Sequence, residues 1–298
     1  MTISIGNGLP DIVSVQKRLY PLIFTHIVSE QPTSQPVATA FGFKSQTEAD
    51  DGSGWKLLGF SLDRWFTNVK ASKLKTEISI EAIQDLAALG MGDDIITTNL
   101  ADSIADDINT DIITSLNAIS QVGAPLTLLG ATDGDKSWDL YTKVHVAAAA
   151  LEKETGCHAS YAVAGGDIFG MLTGSGYVSQ IGDSSIYVSV AGLTIVHDKY
   201  STTDYFTVGV KKDLGEFELS SLVFSPYNFD GEFDSGIAYQ QLAIDPSSFN
   251  PTVGVIARYA LTVAPLDSSQ KGAVEIDWDN LGALANSSKL SVTYDVTV

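Results

Sequence analysis

The chain has 298 residues, 44% hydrophobic and 18% charged, which is globular and long enough for one large domain or two. Seventeen basic residues against thirty-six acidic ones leave a net charge of −19, which argues against a broad DNA-binding face, because phosphate is gripped by Lys and Arg. No apolar run reaches the roughly 18 residues that span a bilayer, no secretory signal is legible in residues 1–10, and the single Cys157 rules out a disulfide framework or a cysteine-built zinc site.

Residues 1–37 read as an irregular arm, since Gly6, Gly8, Pro10, Pro21, Pro32 and Pro36 interrupt any long helix or central strand. Inside it, Ile12, Val13, Gln16 and Leu19 suit one or two short amphipathic turns. Residues 37–43 and 55–62 carry strand patterns and are joined by a polar tip at 46–54 that includes Glu48, Asp50 and Asp51. Such a hairpin has little core of its own and is expected to be covered by a neighbouring subunit.

A short helix is predicted at 80–89, stopped by Gly90 and Gly92. The clearest element follows at 99–119, where Leu100, Ile104, Ile108, Ile112 and Leu116 recur every four residues. At about 1.5 Å per residue this is a rod of roughly 30 Å. Asp102, Asp106, Asp107 and Asp111 occupy its other faces, expected to be solvated or turned toward other subunits. After a loop at 130–136, a helix is predicted at 138–155, with Ser137 as N-cap and Gly156 as stop. Its apolar stripe is Leu140, Val144, Ala148 and Leu151. Strand signals at 161–164, 186–190, 193–196, 205–210 and 222–224 surround a short helix at 167–172, and strands return at 255–263 and 290–298. This is the pattern of an α+β protein.

Candidate chemistry is thin. Asp133, Asp135 and Asp139 resemble the opening of a calcium loop, but the glycine and the bidentate Glu that such a loop needs are missing. Cys157 and His158 are chain neighbours, a poor arrangement for a nucleophile and its base. His26, His145 and His197 are scattered singly. Gly174-Ser175-Gly176 lacks the spacing of a nucleophile elbow, and Gly165-Gly166 lacks the Lys-Ser/Thr pair of a phosphate loop. The reading is therefore of a protein that is not an enzyme and that uses no cofactor or metal.

Three stretches resemble the major capsid proteins of T-even-type, contractile-tailed phages. The first is Tyr20-Pro21-Leu22-Ile23 with His26-Ile27-Val28 and Gln31-Pro32, although His26 stands where that family usually has an acid. The second runs from Lys73-Leu74-Lys75-Thr76-Glu77 through Ile80-Glu81 to Gln84-Asp85-Leu86, just before the aspartate-rich helix. The third is Ser225-Pro226-Tyr227, then Asp245-Pro246, Phe249, Pro251, Gly254 and Arg258-Tyr259.

The resemblance implies the Hong Kong 97 phage fold. The expected divisions are an N-terminal arm at 1–37, an extended loop at 38–70, and a peripheral domain with the spine helix at 71–125. An axial domain at 126–225 and a return to the peripheral domain with C-terminal strands at 226–298 complete it. Glu77 and Arg258 are implied candidates for structural pairing. Almost nothing precedes the arm, so either the chain starts short or scaffolding is a separate protein.

The implied function is a head protein that assembles with itself, as hexamers and pentamers, into the icosahedral shell around double-stranded DNA. Scaffold, portal and decoration proteins are the further partners implied, with assembly in the host cytoplasm, no sequence-specific DNA binding and no membrane. Two alternatives stand beside it: an encapsulin-like nanocompartment on the same fold, and a cytoplasmic hydrolase using Cys157 or a histidine.

Overall fold

A computed structural model describes residues 24–47, 58–77, 79–81, 84, 94–180, 186–215, 218–227, 239–244, 250–264, 273–275 and 285–298. Its centre is the helix Asp94–Ile119. Ile104, Ile108, Ile112, Leu116 and Ile119 are at most 2% exposed, and Ala105 and Ile113 are buried beside them. Among the described side chains of this helix, residues 103–119, the exposed ones form a narrow ridge through Ser103, Asp107, Asp111 and Thr114. A helix buried over most of its girth must be enclosed from more than one side.

Two sheets enclose it. The first has five strands, ordered Ser29–Glu30, Leu222–Pro226, Pro251–Val263 and Tyr239–Ile244, with Lys70–Glu77 also paired to Pro251–Val263. Leu222, Phe224, Val255, Ala257, Tyr259, Leu261 and Val263 share one hydrophobic cluster with the long helix. The second sheet has eight strands. Along its main path run Ser120–Val122, Ser288–Thr297, Tyr205–Gly209, Tyr161–Gly165, Thr194–Asp198, Ile186–Ser189 and Val178–Gln180. Strands Tyr161–Gly165 and Thr194–Asp198 are parallel, whereas Tyr205–Gly209 is antiparallel to both of its neighbours.

The period of two along a strand divides this second sheet between two cores. Tyr161, Val163 and Val196 point into the long-helix cluster. Ala162, Ala164, Ile195, Phe206 and Val208 point the other way, onto helices Asp133–Thr155 and Gly166–Gly174. Leu140, Val144, Ala147, Ala148, Leu151, Ile168 and Leu172 complete that second core. The layers are thus sheet, long helix, sheet, helix pair. Gly209 is required for this packing, because a Cβ there would overlap the Tyr161 ring, which is fully buried at the junction.

Two elements differ from the sequence reading. Helix Asp133–Thr155 starts within the expected loop, and its N-cap is Thr132, not Ser137. A capping box explains the shift: Asp135 N–H donates to Thr132 Oγ1 (3.2 Å), and Thr132 N–H donates back to Asp135 Oδ2 (3.2 Å). Ser137 is instead buried within the helix. The hairpin is longer than expected, with Val37–Thr47 antiparallel to Leu58–Asn68. Its register pairs Val37 with Asn68 and Ala40 with Trp65, and the buried Ala38, Trp65 and Thr67 fix that alignment at the base. Strand Leu222–Pro226 joins the five-stranded sheet, and Ser288–Thr297 joins the eight-stranded one.

Of the helix expected at 80–89, residues 80, 81 and 84 are described, and they are helical. The amphipathic turns of the arm and the hairpin tip at 48–57 lie outside the described residues.

If the long helix is the shared core, Ile112→Ala should destabilise the subunit by about 2–5 kcal/mol. Asp107→Ala on the solvent ridge should change stability by no more than about 0.5 kcal/mol. Denaturant unfolding of the two variants beside the parent measures both.

Candidate functional site

Among the described residues, the informative surfaces are those that fix the protruding elements and those left exposed. The base of the arm is stitched into the chain's own sheet. Ile27 and Val28 enter the long-helix core, and Ser29–Glu30 runs parallel to Val223–Phe224. Gln31 N–H donates to the Phe224 carbonyl (2.9 Å) and Thr33 N–H to the Pro226 carbonyl (2.8 Å). Ser29 N–H donates to Ser220 Oγ (2.9 Å), and Lys211 Nζ to the Thr25 carbonyl (2.6 Å). Gln31 and Pro32 themselves are exposed, so the motif acts through its backbone here. Tyr20 and Pro21 lie outside the described residues, as do Asp85, Asp245, Pro246 and Phe249; Gln84 is exposed.

Glu77 and Arg258 sit on paired strands but do not meet. The register sets Glu77 opposite Thr252 and Arg258 opposite Ala71, six positions apart, about 20 Å of strand. Glu77 Oε1 accepts from Asn250 Nδ2 (3.2 Å), and the Arg258 guanidinium lies over the Tyr227 ring at 4.2 Å. Tyr259 has the clearer structural role. Its hydroxyl donates to Asp111 Oδ2 at 2.6 Å, fastening the long strand to the long helix. Burial, and then Asp111 and Asp107, push the phenol pKa well up, so Tyr259 remains a donor.

The aspartates of the long helix are accordingly not all idle surface. Asp111 holds Tyr259, and Asp106 takes Lys199 Nζ at 2.8 Å, a tie from the helix to the turn after Thr194–Asp198. Asp107 is exposed. The Asp133–Asp139 segment resolves into helix capping: Asp135 serves the capping box, and Asp139 accepts from Leu129 N–H (2.7 Å) and Lys143 Nζ (2.7 Å). Thr132 holds the Asp135 carboxyl below its usual pKa; at Asp139 burial works upward, and the Lys143 and Leu129 bonds outweigh it.

The remaining candidates are likewise absorbed by the fold. Gly166 adopts a left-handed φ of 57°, and Asp167 N–H donates to Asp204 Oδ1 (2.9 Å), so this helix start already holds a carboxylate of its own chain. Cys157 is half-buried against the second core, while the exposed His158 places Nδ1 3.0 Å from Glu152. His197 stacks on Phe169 at 4.1 Å between centroids. Among the described residues, no group of three or more His, Cys, Asp or Glu could hold a metal, and no helix is long and apolar enough to cross a membrane.

An aromatic group that the sequence reading passed over lies on helix Asp133–Thr155. Trp138 stacks on Tyr141 (5.8 Å) and meets Tyr177 (4.8 Å), and Tyr141 meets Tyr177 (5.2 Å) and His145 (4.5 Å). Aromatic residues three apart on a predicted helix were the available signal, but Tyr177 reaches them only through the fold.

Comparison with known proteins agrees with this architecture. Residues 46–296 match the family model for the major capsid protein Gp23. The chain is 66% identical, over 298 residues and the whole of both chains, to a protein named capsid vertex protein from Vibrio phage KVP40. It is 31% identical to the protein of the same name from Enterobacteria phage T4, over 80% of this chain and 60% of that one. Against the protein named major capsid protein from the same Vibrio phage KVP40, identity falls to 24%, over 74% of this chain and 48% of that one. Among solved structures, the capsid of Ralstonia phage GP4 superposes with a TM-score of 0.53 at 8% identity, covering 91% of this chain and 87% of that one.

The half-buried His145 and His197, together with His26 beside Lys211, set a pH dependence. Burial lowers the pKa of His145 and His197 below the ordinary 6.5, and burial with Lys211 does the same for His26. These imidazoles are neutral in the fold and take up protons more readily when it opens. Their contribution is complete above pH 6.5 and is lost progressively below it, as pH falls toward and through the lowered pKa of the folded state. Thermal unfolding should therefore move to lower temperature between pH 7.5 and pH 5.5, and His145→Gln should flatten that drop. An unchanged slope in the variant would remove His145 from the account.

Proposed function

The chain belongs to the Gp23 major capsid protein family, and from that premise we propose that it forms the fivefold corners of a tailed-phage head. It is a phage capsid protein with the Hong Kong 97 fold. The finer assignment rests on one observation. A single virus, Vibrio phage KVP40, contains both a vertex and a major capsid relative, and this chain is 66% identical to the first and 24% identical to the second. That asymmetry narrows the expectation of hexamers and pentamers from one chain to pentamers, with hexamers supplied by a separate major capsid chain.

In this reading the stitched arm base and the hairpin are the elements that reach beyond the subunit. The hairpin projects about 30 Å from its base, ten residue steps of strand, and lies over the next subunit. The long helix, the five-stranded sheet and the arm base form the peripheral side, and the eight-stranded sheet with its two helices forms the axial side toward the ring centre. Identical subunits close a ring through a heterologous contact, in which one face meets a different face of the next copy. The shell encloses double-stranded DNA, and its acidic subunits let the genome slide rather than grip it. Scaffold, portal and decoration proteins are the further partners, with assembly in the host cytoplasm. The family match and the vertex relatives favour this over a nanocompartment, and the structural role leaves no reaction for a hydrolase reading to explain.

Subunits with a net charge of −19 repel one another, so ring formation should depend on screening. Raising salt from about 0.01 M to about 0.15 M shortens the Debye length from about 30 Å to about 8 Å. Negative-stain electron microscopy after size-exclusion chromatography should then show five-membered rings increasing with salt. Sixfold rings would contradict the corner assignment, and a yield indifferent to salt would contradict the electrostatic argument.

A further inference from the structure

Helix Asp133–Thr155 turns one face to the second core and leaves another exposed among the described residues. The uncovered stripe consists of Trp138, Thr142, Val146, Ala149 and Ala150, all exposed, with Trp138 at 51% and Val146 at 63%. It is about 18 Å long and contains no ionisable group. On one flank Asp139 and Lys143 neutralise each other at 2.7 Å. On the other, Tyr141 and Tyr177 extend the stripe, and Val190, 79% exposed, adjoins it through its N–H bond to the Tyr177 carbonyl (2.9 Å). Further charge stands at the ends of the helix, with Asp133, Asp135 and Lys136 at the start and Glu152, Lys153 and Glu154 at the finish.

A single exposed Val or Trp is ordinary on a protein surface. A run of uncharged positions over three turns is not ordinary in a chain of net charge −19. An apolar centre with aromatic anchors and a charged rim is the anatomy of a protein interface. The ridge of the long helix makes the contrast, since its exposed positions include Asp107 and Asp111.

We propose that this face is a contact between copies of the chain, seated against the adjacent subunit of the ring. The occupant follows from charge: copies repel over most of their surface, so close approach is cheapest where no acid has to be desolvated. The inference rests on the shell reading above and deepens it by naming the surface. The Trp138–Tyr177 pair anchors the contact, and Val146 lies at its middle.

The test uses Val146→Glu and Thr142→Glu, both at exposed positions, with Val146→Thr as the conservative control. Ring or shell yield should fall at least tenfold for the two Glu variants and stay near the parent for Val146→Thr, with the thermal unfolding of the free subunit unchanged in all three. Oxidative footprinting of Trp138 should show protection in assembled particles relative to free subunits. Glu variants that assemble at parental yield, or a Trp138 as reactive in particles as in free subunits, would overturn the inference while leaving the shell reading intact. Protection that arises only when another virion protein is added would overturn it too, in favour of an accessory partner. A parent chain that forms no particles in any mixture would instead remove the shell reading on which the inference depends.

Discussion

The burial of one helix between two sheets is the constraint on which the rest of this subunit depends. Ile104, Ile108, Ile112, Leu116 and Ile119 pack simultaneously against the strand that carries Val255 to Val263 and against the Tyr161 and Val196 face of the second sheet. Neither sheet could be shifted without opening a cavity beside the helix, a loss comparable to a large part of a domain's net stability. Two polar ties work in the same sense. Tyr259 holds Asp111 on one side, and Lys199 holds Asp106 on the other. The helix therefore fixes the hairpin and arm, at the outer side, relative to the helix pair that bears the exposed stripe.

In the proposed shell, the surfaces that would meet other subunits are far apart. The arm base and hairpin leave from the edge of the first core, where Ile27, Val28 and Trp65 are buried, while the stripe on helix Asp133–Thr155 lies beyond the second core. Rigid packing between them lets binding on one side set the geometry offered on the other. The charge distribution suits the same task. A net charge of −19 keeps free subunits apart and restricts close association to the faces where acid is missing or neutralised.

Much of the fold was legible because its signals are local. The four-residue recurrence of Ile and Leu identified the long helix, and apolar runs at 161–164, 205–210 and 222–224 identified the strands found at 161–165, 205–209 and 222–226. What escaped depends on contacts distant in sequence. The capping box at Thr132 and Asp135 was readable in principle, but Gly134 in the first turn disguised the helix start. That Leu222–Pro226 and Ser288–Thr297 belong to different sheets follows from pairings across the chain, which no window contains. The aspartates expected to be solvated or turned toward other subunits include two partners within the fold, which local sequence could not show because Tyr259 and Lys199 lie 148 and 93 residues away. The family signatures pointed to a capsid, whereas the proposed corner role rests on whole-chain similarity to vertex relatives, which no local motif carries.

The most direct test of the central claim is cryo-electron microscopy of virions in which this chain carries a small tag at an exposed loop. Tag density confined to the fivefold corners is the expected result. Tag density spread over the sixfold positions of the faces, or absent from the shell, would contradict the account.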